Sequence, residues 1–207
     1  MMTKLVAFDD HGLALALERF HQGQILCFPT DTVYGIGGSA LDEAALGQVF
    51  AAKARPATVA LPVLLADIGD LAKVAHTIPD LAWRLAEAWW PGGLTLVLPA
   101  LANLPNILTA DKATIAVRVP NHAQLRKLIG QFGTPIAGTS ANLHGQPTPS
   151  TAQGIAEQLA GRVPLVLDGG IATGDQPSTI VDLSGERPSI LRHGVISAAQ
   201  LSPWLEA

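Results

Sequence analysis

The apolar residues of this chain occur in short runs that glycine and proline interrupt. Residues 25–28 and 61–66 are two such runs, each about as long as a β-strand, and no run approaches the roughly 20 apolar residues that span a bilayer. Hydrophobic residues nonetheless make up 48% of the 207 residues, and charged residues only 14%. A chain of this composition can bury a large core, so disorder is excluded for most of its length.

Helix signals alternate with strand-like runs along the chain. Asp9 and Asp10 can begin a first helix, Asp42 a second and Pro79 a third. This order, with adjacent strands near the C-terminal end, predicts an α/β (α+β) fold around one twisted, mixed, open sheet flanked by helices. Because no internal repeat or charge block divides the chain, we expect a single domain over residues 1–207. Further strand-like runs cover residues 94–98, 114–119, 135–138, 165–167, 178–183 and 190–192.

Charge, cysteine count and motif content exclude several classes of function. The formal net charge is −4 and the pI is about 5.8, which argues against a generally basic surface for nucleic acid. Cys27 is the only cysteine, so disulfide frameworks, cysteine-rich zinc sites and CxxC redox chemistry are excluded. The six histidines lack metal-ligand spacing, and the sequence contains no Walker A motif. The N-terminal residues lack the features of a signal peptide, so we expect a soluble, cytoplasmic protein that does not enter the membrane.

Glycines are concentrated between residues 35 and 38. Together with Ala40 they match a relaxed dinucleotide-binding fingerprint, G-x-G-x-x-A, but they do not directly follow a strand-like run. The acidic residue that such a site needs about 20 positions further on is also missing. We therefore interpret this segment as a turn whose glycines need positive φ.

Polar side chains come directly after the first buried strand-like run. These are Thr30, Asp31, Thr32 and Tyr34, and α/β proteins build their sites at such places. Ordinary turn chemistry, with Asp31 as a local cap, explains these residue types about equally well.

Other hydroxyl-bearing and charged side chains also stand at the ends of predicted elements. Arg118 lies inside an apolar strand, whose alternation must bury it or direct it into a cleft. Ser140 and Asn142 belong to a donor-rich turn that suits an anion, and Ser178 enters another strand. Asx and ST turns remain alternative explanations for both places.

Cations complete this set of residues. Lys53 and Arg55 lie at the end of the second predicted helix, where interaction with the helix dipole would by itself explain them. Arg192 follows the apolar residues Ile190 and Leu191 near the C-terminal end. With Arg118, these cations indicate a site that binds anions such as triphosphate and carboxylate through charge-assisted hydrogen bonds. Since no cysteine nucleophile or Ser-His-Asp order accompanies them, we expect catalysis by positioning and electrostatics.

Nine blocks of this sequence resemble the YrdC/Sua5/TsaC family of threonylcarbamoyl-AMP synthases. Their order and spacing fit over nearly the whole chain, although no block is specific alone. The resemblance implies a YrdC-like domain with a central cleft, in the short form that lacks the C-terminal domain of Sua5. Beginning at Phe28, Lys53, Trp90, Thr114, Pro135, Gly145, Val166, Ser178 and Ile190, the blocks read FPTDTVYGIG, KARP, WPGGLTLVL, TIAVRVP, PIAGTSAN, GQPTPS, VLDGG, STIVDL and ILRHG.

The resemblance implies a nucleotidyl transfer reaction. L-threonine, bicarbonate or CO2, and ATP with Mg2+ would give threonylcarbamoyl-AMP and pyrophosphate. Downstream proteins would then transfer the threonylcarbamoyl group to adenosine 37 of tRNA, which forms t6A. The tRNA itself would bind this protein at most weakly, because several of the 13 basic residues would be committed to small ligands.

The same resemblance assigns roles to individual residues. Lys53 and Arg55 would be the catalytic cations on the phosphates of ATP, and Arg118 would hold the carboxylate of threonine. No side chain is assigned to a metal. The ATP-binding residues would be Lys53, Arg55, Thr114, Ser140, Asn142, Thr148 and Arg192, and the threonine-binding residues would be Thr32, Arg118, Gly138 and Ser178.

Four positions depart from the family pattern. Leu64 stands where many members have histidine, and Pro177 stands where glutamate is usual. Gly93 and His193 each replace a usual proline. None of the four is one of the predicted cations, so the departures concern the threonine pocket and not the class of reaction.

Two other functions remain open at this point. One is an RNA-binding or ribosome-maturation module of the same fold, against which the net charge of −4 argues. The other is a paralogue that has lost the synthase activity. The presence of Lys53, Arg55, residues 140–142 and residues 178–179 argues against that loss.

Overall fold

Ten strands form one mixed sheet in the computed structural model, which describes residues 2–172, 174 and 176–205. The spatial order of the strands is β1-β8-β2-β3-β7-β4-β6-β5-β9-β10, with parallel and antiparallel neighbours. The predicted α/β (α+β) class with a mixed sheet is thereby confirmed. The strands are β1 (Lys4–Ala7), β2 (Leu26–Phe28), β3 (Gly35–Ser39), β4 (Val63–Leu64), β5 (Leu94–Pro99), β6 (Thr114–Arg118), β7 (Ile136–Ser140), β8 (Leu165–Asp168), β9 (Thr179–Asp182) and β10 (Ser189–Arg192).

Helices connect these strands, and the three predicted starts are confirmed. The carboxylate of Asp9 accepts a hydrogen bond from Gly12 N at 2.9 Å, and that of Asp42 accepts one from Ala44 N at 2.9 Å. Pro79 precedes the third helix. Within the described ranges, no helix combines the length and apolar character needed to cross a membrane. The helices are α1 (Asp10–His21), α2 (Glu43–Lys53), a 3₁₀-helix (Ile68–Lys73), α3 (Asp80–Trp89), α4 (Asn106–Thr109), α5 (Ala123–Phe132), α6 (Ala152–Gln158) and α7 (Ala198–Leu205).

The sheet separates two apolar clusters, because neighbouring residues of a strand point to opposite faces. Val63 belongs to the larger cluster and Leu64 to the smaller one, and Ala137 and Ile136 are divided in the same way. Helices α1 and α5 pack against each other and provide much of the smaller cluster. Arg118 is in register with Leu64 and so lies on the same face, but outside that cluster. The part of this face that α1 and α5 leave uncovered is the floor of a cavity.

The interpretation of the glycine-rich segment as a turn is wrong. Residues 35–38 belong to β3, which is buried along its whole length and pairs with both β2 and β7. None of the three glycines in this segment has positive φ. The physical reason for glycine is space, since a Cβ atom on Gly37 would lie 2.1 Å from the carbonyl oxygen of Ala137. Glycine here lets the backbones of β3 and β7 approach closely.

Besides β3, three elements have no counterpart in the sequence-based prediction. These are β1, the 3₁₀-helix and α4. Strand β1 is an edge strand, exposed over most of its length, so the alternation of apolar and polar residues that marks a half-buried strand is weak there. The other two elements are six and four residues long, too short for a helical period to show.

We predict opposite effects for two glycine-to-alanine substitutions. Gly37→Ala should lower the free energy of unfolding by about 3 kcal/mol, because the new Cβ forces β3 and β7 apart. Gly47→Ala lies in α2 with no atom within 4 Å of the new Cβ, and it should raise this free energy by about 0.5–1 kcal/mol. Denaturant unfolding measures both values. A Gly37→Ala protein as stable as the Gly47→Ala protein would contradict the close approach of the two strands.

Candidate active site

A cavity of about 700 Å³ opens on the uncovered part of the sheet. Its wall combines strand residues with the loops that follow β2, β7 and β8. Eight of the residues predicted for the site line it, whereas Lys53, Arg55 and Thr114 do not. The eight are Thr32, Arg118, Gly138, Ser140, Asn142, Thr148, Ser178 and Arg192.

Three groups position the guanidinium of Arg118, which is only 6% exposed. Nε donates to Gly92 O at 2.8 Å, Nη1 to Thr32 Oγ1 at 3.0 Å and Nη2 to Asp31 Oδ1 at 2.6 Å. Burial lowers the pKa of Arg118, and the carboxylate of Asp31 opposes that shift. A guanidinium has five N–H groups, so two remain for a ligand.

Asp31 is therefore the ion-pair partner of Arg118, a role that sequence reasoning did not assign to it. The turn chemistry expected here is present too, but Thr30 provides it. Thr30 Oγ1 donates to Val33 O at 2.7 Å and accepts from Thr32 N at 3.1 Å. The two explanations that the sequence left open thus apply to different residues of the same turn.

Asn142 organises the wall after β7. Its Oδ1 accepts from Ser140 Oγ at 2.5 Å and from Thr148 Oγ1 at 3.2 Å. Its Nδ2 donates to Leu143 O at 2.8 Å and to Gln146 O at 2.7 Å. This side chain therefore fixes both the turn after β7 and the loop that carries Thr148.

Lys53 lies behind this wall and not in the cavity. Lys53 is the last residue of α2 and is only 2% exposed. Its ammonium donates to the carbonyl oxygen of Ser140, to Asn142 O at 2.8 Å and to Asn142 Oδ1 at 3.2 Å. Burial lowers the pKa of Lys53 to about 8, and the nearby charge of Arg55 adds to the effect. Interaction with the helix dipole therefore does not explain Lys53, because its side chain extends away from α2 and supports the turn after β7. Contact of Lys53 with ATP stays a prediction.

Arg55 and Thr114 lie beside the cavity. Arg55 Nη1 donates to Thr139 Oγ1, which does line the cavity, at 3.2 Å. Its Nε is buried and has no hydrogen-bond partner among the described residues. Thr114 is on the same face of β6 as Arg118, at the opposite end of that strand. The predicted ATP contacts of Arg55 and Thr114 stay predictions.

Ser178 contacts both Arg192 and Thr95, and sequence reasoning missed Thr95. Arg192 donates from Nε to Ser178 O and from Nη2 to Ser178 Oγ, both at 3.0 Å. Thr95 Oγ1 lies 2.7 Å from the same Ser178 hydroxyl. Burial, and after it the nearby charge of Arg118, lowers the pKa of Arg192. Two guanidinium groups therefore give this side of the cavity a positive potential.

Apolar side chains form part of the floor. A Cβ atom on Gly138 would lie 3.2 Å from Leu64 Cδ1 and 3.4 Å from Phe28 Cζ, so even a methyl group at this position would be crowded. Tyr34 OH donates to Gly170 O at 2.7 Å and fixes the loop that lies over the cavity. The site thus offers an apolar floor, hydroxyl-bearing walls and positive charge.

Carboxylates are rare in this site. No aspartate or glutamate of the described residues lines the cavity. Within those same ranges, no three histidine, cysteine, aspartate or glutamate side chains come together as metal ligands. The lining of the cavity is therefore suited to binding anionic ligands.

Comparison with known proteins assigns the family. The Sua5/YciO/YrdC family model, described as telomere recombination, matches residues 18–194. Threonylcarbamoyl-AMP synthases of Pyrococcus abyssi and Bacillus subtilis are 41% and 36% identical over 90% and 97% of this chain. The structure of Pyrococcus abyssi Sua5 complexed with L-threonine matches 99% of the chain with a TM-score of 0.93 and 36% identity. The chain belongs to the Sua5/YciO/YrdC family, as its sequence blocks predicted.

The lengths of these relatives differ from that of this chain. The chain spans 55% of the Pyrococcus abyssi synthase and 58% of the Bacillus subtilis synthase. It likewise covers 61% of the Pyrococcus abyssi Sua5 structure.

We predict that Asp31→Ala lowers the free energy of unfolding by about 3 kcal/mol, because it leaves the buried guanidinium of Arg118 without its counter-charge. Asp10→Ala is the matched control. Its carboxylate also forms an ion pair, with Lys127 at 2.9 Å, but both side chains are largely exposed. Exposed pairs contribute about 0–1 kcal/mol. Denaturant unfolding of both variants measures the difference, and equal losses would contradict a buried ion pair.

Proposed function

We propose that this chain is a threonylcarbamoyl-AMP synthase, which uses L-threonine, bicarbonate or CO2, and ATP. The observation that carries the proposal is the division of one cavity into two halves. Arg118 and the apolar floor form one half, and the wall organised by Asn142 forms the other. The names of the two curated relatives support the same activity.

Threonine would occupy the half that contains Arg118. Its carboxylate would accept from the two N–H groups that Asp31, Thr32 and Gly92 leave free. Its methyl group would contact Leu64 on the floor. Its hydroxyl would lie within reach of Thr32 and Ser178, the two uncharged polar side chains beside the arginines.

ATP would occupy the wall after β7. Ser140, Asn142 and Thr148 would contact the nucleotide, and Arg192 would add positive charge from the opposite side. Arg55 would reach the phosphates from beside Thr139. The positive charge of Lys53 would act on the phosphates through the turn that it supports.

Mg2+ would enter with ATP as part of the substrate complex. The lining of the described cavity has hydroxyl and amide groups but no carboxylate, and Mg2+ in proteins usually keeps several waters and binds substrate phosphates. The ion would therefore be held by phosphate oxygens and water. When bound, it would neutralise charge that develops on the phosphates.

The reaction needs positioning more than covalent chemistry. The amine of threonine would attack CO2 to form a carbamate, and bicarbonate would supply that carbon with loss of water. A carbamate oxygen would then attack the α-phosphorus as the bond to the leaving pyrophosphate breaks. Arg55 and Arg192 would stabilise the negative charge on pyrophosphate, since fixed cations in a partly dry site act strongly on developing charge.

The product determines the partners. Threonylcarbamoyl-AMP is an activated mixed anhydride, so we propose that it passes to downstream proteins that modify adenosine 37 of tRNA in the cytoplasm. The chain itself would bind tRNA at most weakly, because few of its 13 basic residues are left to neutralise phosphates.

Pyrophosphate release with purified protein, ATP, Mg2+ and bicarbonate, in the absence of RNA, tests the proposal. We expect release with threonine, and weaker release with serine by roughly 10- to 200-fold in kcat/KM, because serine lacks the methyl group. We expect still weaker release with valine, which leaves the polar groups at Thr32 and Ser178 unpaired. Mass detection of the adenylate identifies the product.

Leu64→Ala provides the control for the methyl contact. This variant should lower the preference for threonine over serine without improving valine, because it removes apolar contact and adds no polar group. Pyrophosphate release that requires RNA would contradict the proposed function. Valine turnover equal to that of serine would contradict the proposed hydroxyl contacts at Thr32 and Ser178.

A further inference from the structure

The hydroxyl of Thr95 contacts a residue of the proposed threonine pocket. Thr95 belongs to β5, lines the cavity and is only 2% exposed, and its Oγ1 lies 2.7 Å from Ser178 Oγ. Arg192 Nη2 donates to the same Ser178 oxygen at 3.0 Å. Two side chains therefore act on one hydroxyl that faces the cavity.

The direction of the hydrogen bond between Thr95 and Ser178 follows from their other partners. A hydroxyl has one proton and two acceptor positions, whereas a guanidinium can only donate. Among the described residues, Thr95 Oγ1 has no hydrogen-bond partner except Ser178. If Ser178 donated to it, the proton of Thr95 would be buried without an acceptor, which is costly. Thr95 therefore donates, and the proton of Ser178 is left for the cavity.

The opposite polarity follows for Thr32. Thr30 Oγ1 donates its one proton to Val33 O, so the 3.1 Å contact between the hydroxyls of Thr30 and Thr32 requires Thr32 to donate. Arg118 Nη1 occupies one acceptor position of Thr32. Thr32 therefore has no proton left for the cavity and offers it one acceptor position.

These two hydroxyls belong to one continuous group of side chains. The antiparallel register of β5 with β6, continued by one residue, sets Thr95 opposite Arg118. Arg118 contacts Thr32 on one side, and Thr95 contacts Ser178 on the other. The donor and the acceptor thus flank the place where Arg118 would hold an amino-acid carboxylate.

We propose that Thr95 and Thr30 are positioning residues that fix the protons of Ser178 and Thr32, so that the cavity offers one donor and one acceptor to a single hydroxyl group. This inference rests on the proposed function and deepens it, because it explains how a β-hydroxy amino acid is selected. Threonine satisfies both groups. Valine has the same shape but leaves both unpaired, and buried unpaired polar groups oppose binding.

Thr95→Val tests the inference, since it removes the hydroxyl and keeps the shape. Binding of threonine and valine, measured by calorimetry, and kcat and KM from pyrophosphate release are the readouts. We expect KM and Kd for threonine to rise by about 2- to 12-fold, which corresponds to one neutral hydrogen bond, with kcat within about twofold. The values for valine should not change, because valine does not use the hydroxyl of Ser178.

Thr95→Ser is the matched control, because it keeps the hydroxyl and should bind threonine within about twofold of the wild type. Thr95→Ala also lacks the hydroxyl and should lower the threonine-to-valine ratio as Thr95→Val does. Equal losses for threonine and valine, or a Thr95→Ser protein that behaves like Thr95→Val, would overturn the inference and leave Thr95 a packing residue. Absence of pyrophosphate release by the wild type would instead overturn the proposed function, while calorimetry still decides the hydroxyl pattern.

Discussion

Neutral oxygen atoms stabilise the buried positive charge of this site without cancelling it. Carbonyl oxygens of Ser140 and Asn142 accept from the ammonium of Lys53, and Gly92 O accepts from the guanidinium of Arg118. A buried charge is costly unless hydrogen bonds compensate for its lost hydration. Because these acceptors carry no net charge, the cavity keeps its attraction for anions in a chain whose formal net charge is −4. Among these contacts, only the carboxylate of Asp31 offsets positive charge, through its ion pair with Arg118.

The sheet determines where these cations lie, with Arg118 in the cavity and Lys53 behind its wall. Helices α1 and α5 cover part of one face, and the uncovered strands bring Arg118 and Gly138 to the floor. Gly37 lets β3 and β7 pair closely, and the turn that ends β7 then meets Lys53 from α2. The packing of α1 and α5 on one part of this face thus leaves the other part open, and the charged and hydroxyl-bearing side chains of the cavity lie there.

Part of this site was predictable because polar side chains that follow buried strands meet at one place in such folds. Thr32 and Asn142 were found in this way, and Arg118 because a charge inside an apolar strand must face a cleft. The pairing of Asp31 with Arg118, 87 residues apart, depends on strand order, which residue patterns do not reveal. Glycines at residues 35–38 were misread as a turn, because a glycine run arises equally from positive φ or from lack of space.

The pH dependence of ATP affinity tests most directly whether the ammonium of Lys53 supports the ATP half of the cavity. The pKa of Lys53 is lowered to about 8, so the free protein loses this charge as the pH rises above that value. ATP binding would then require uptake of a proton, and we predict that its association constant falls by up to about tenfold per pH unit between about pH 8 and 9.5. Calorimetry measures this, with Lys53→Met as a control whose affinity should be weak and independent of pH. A wild-type affinity that stays constant over this range would contradict the role given to Lys53.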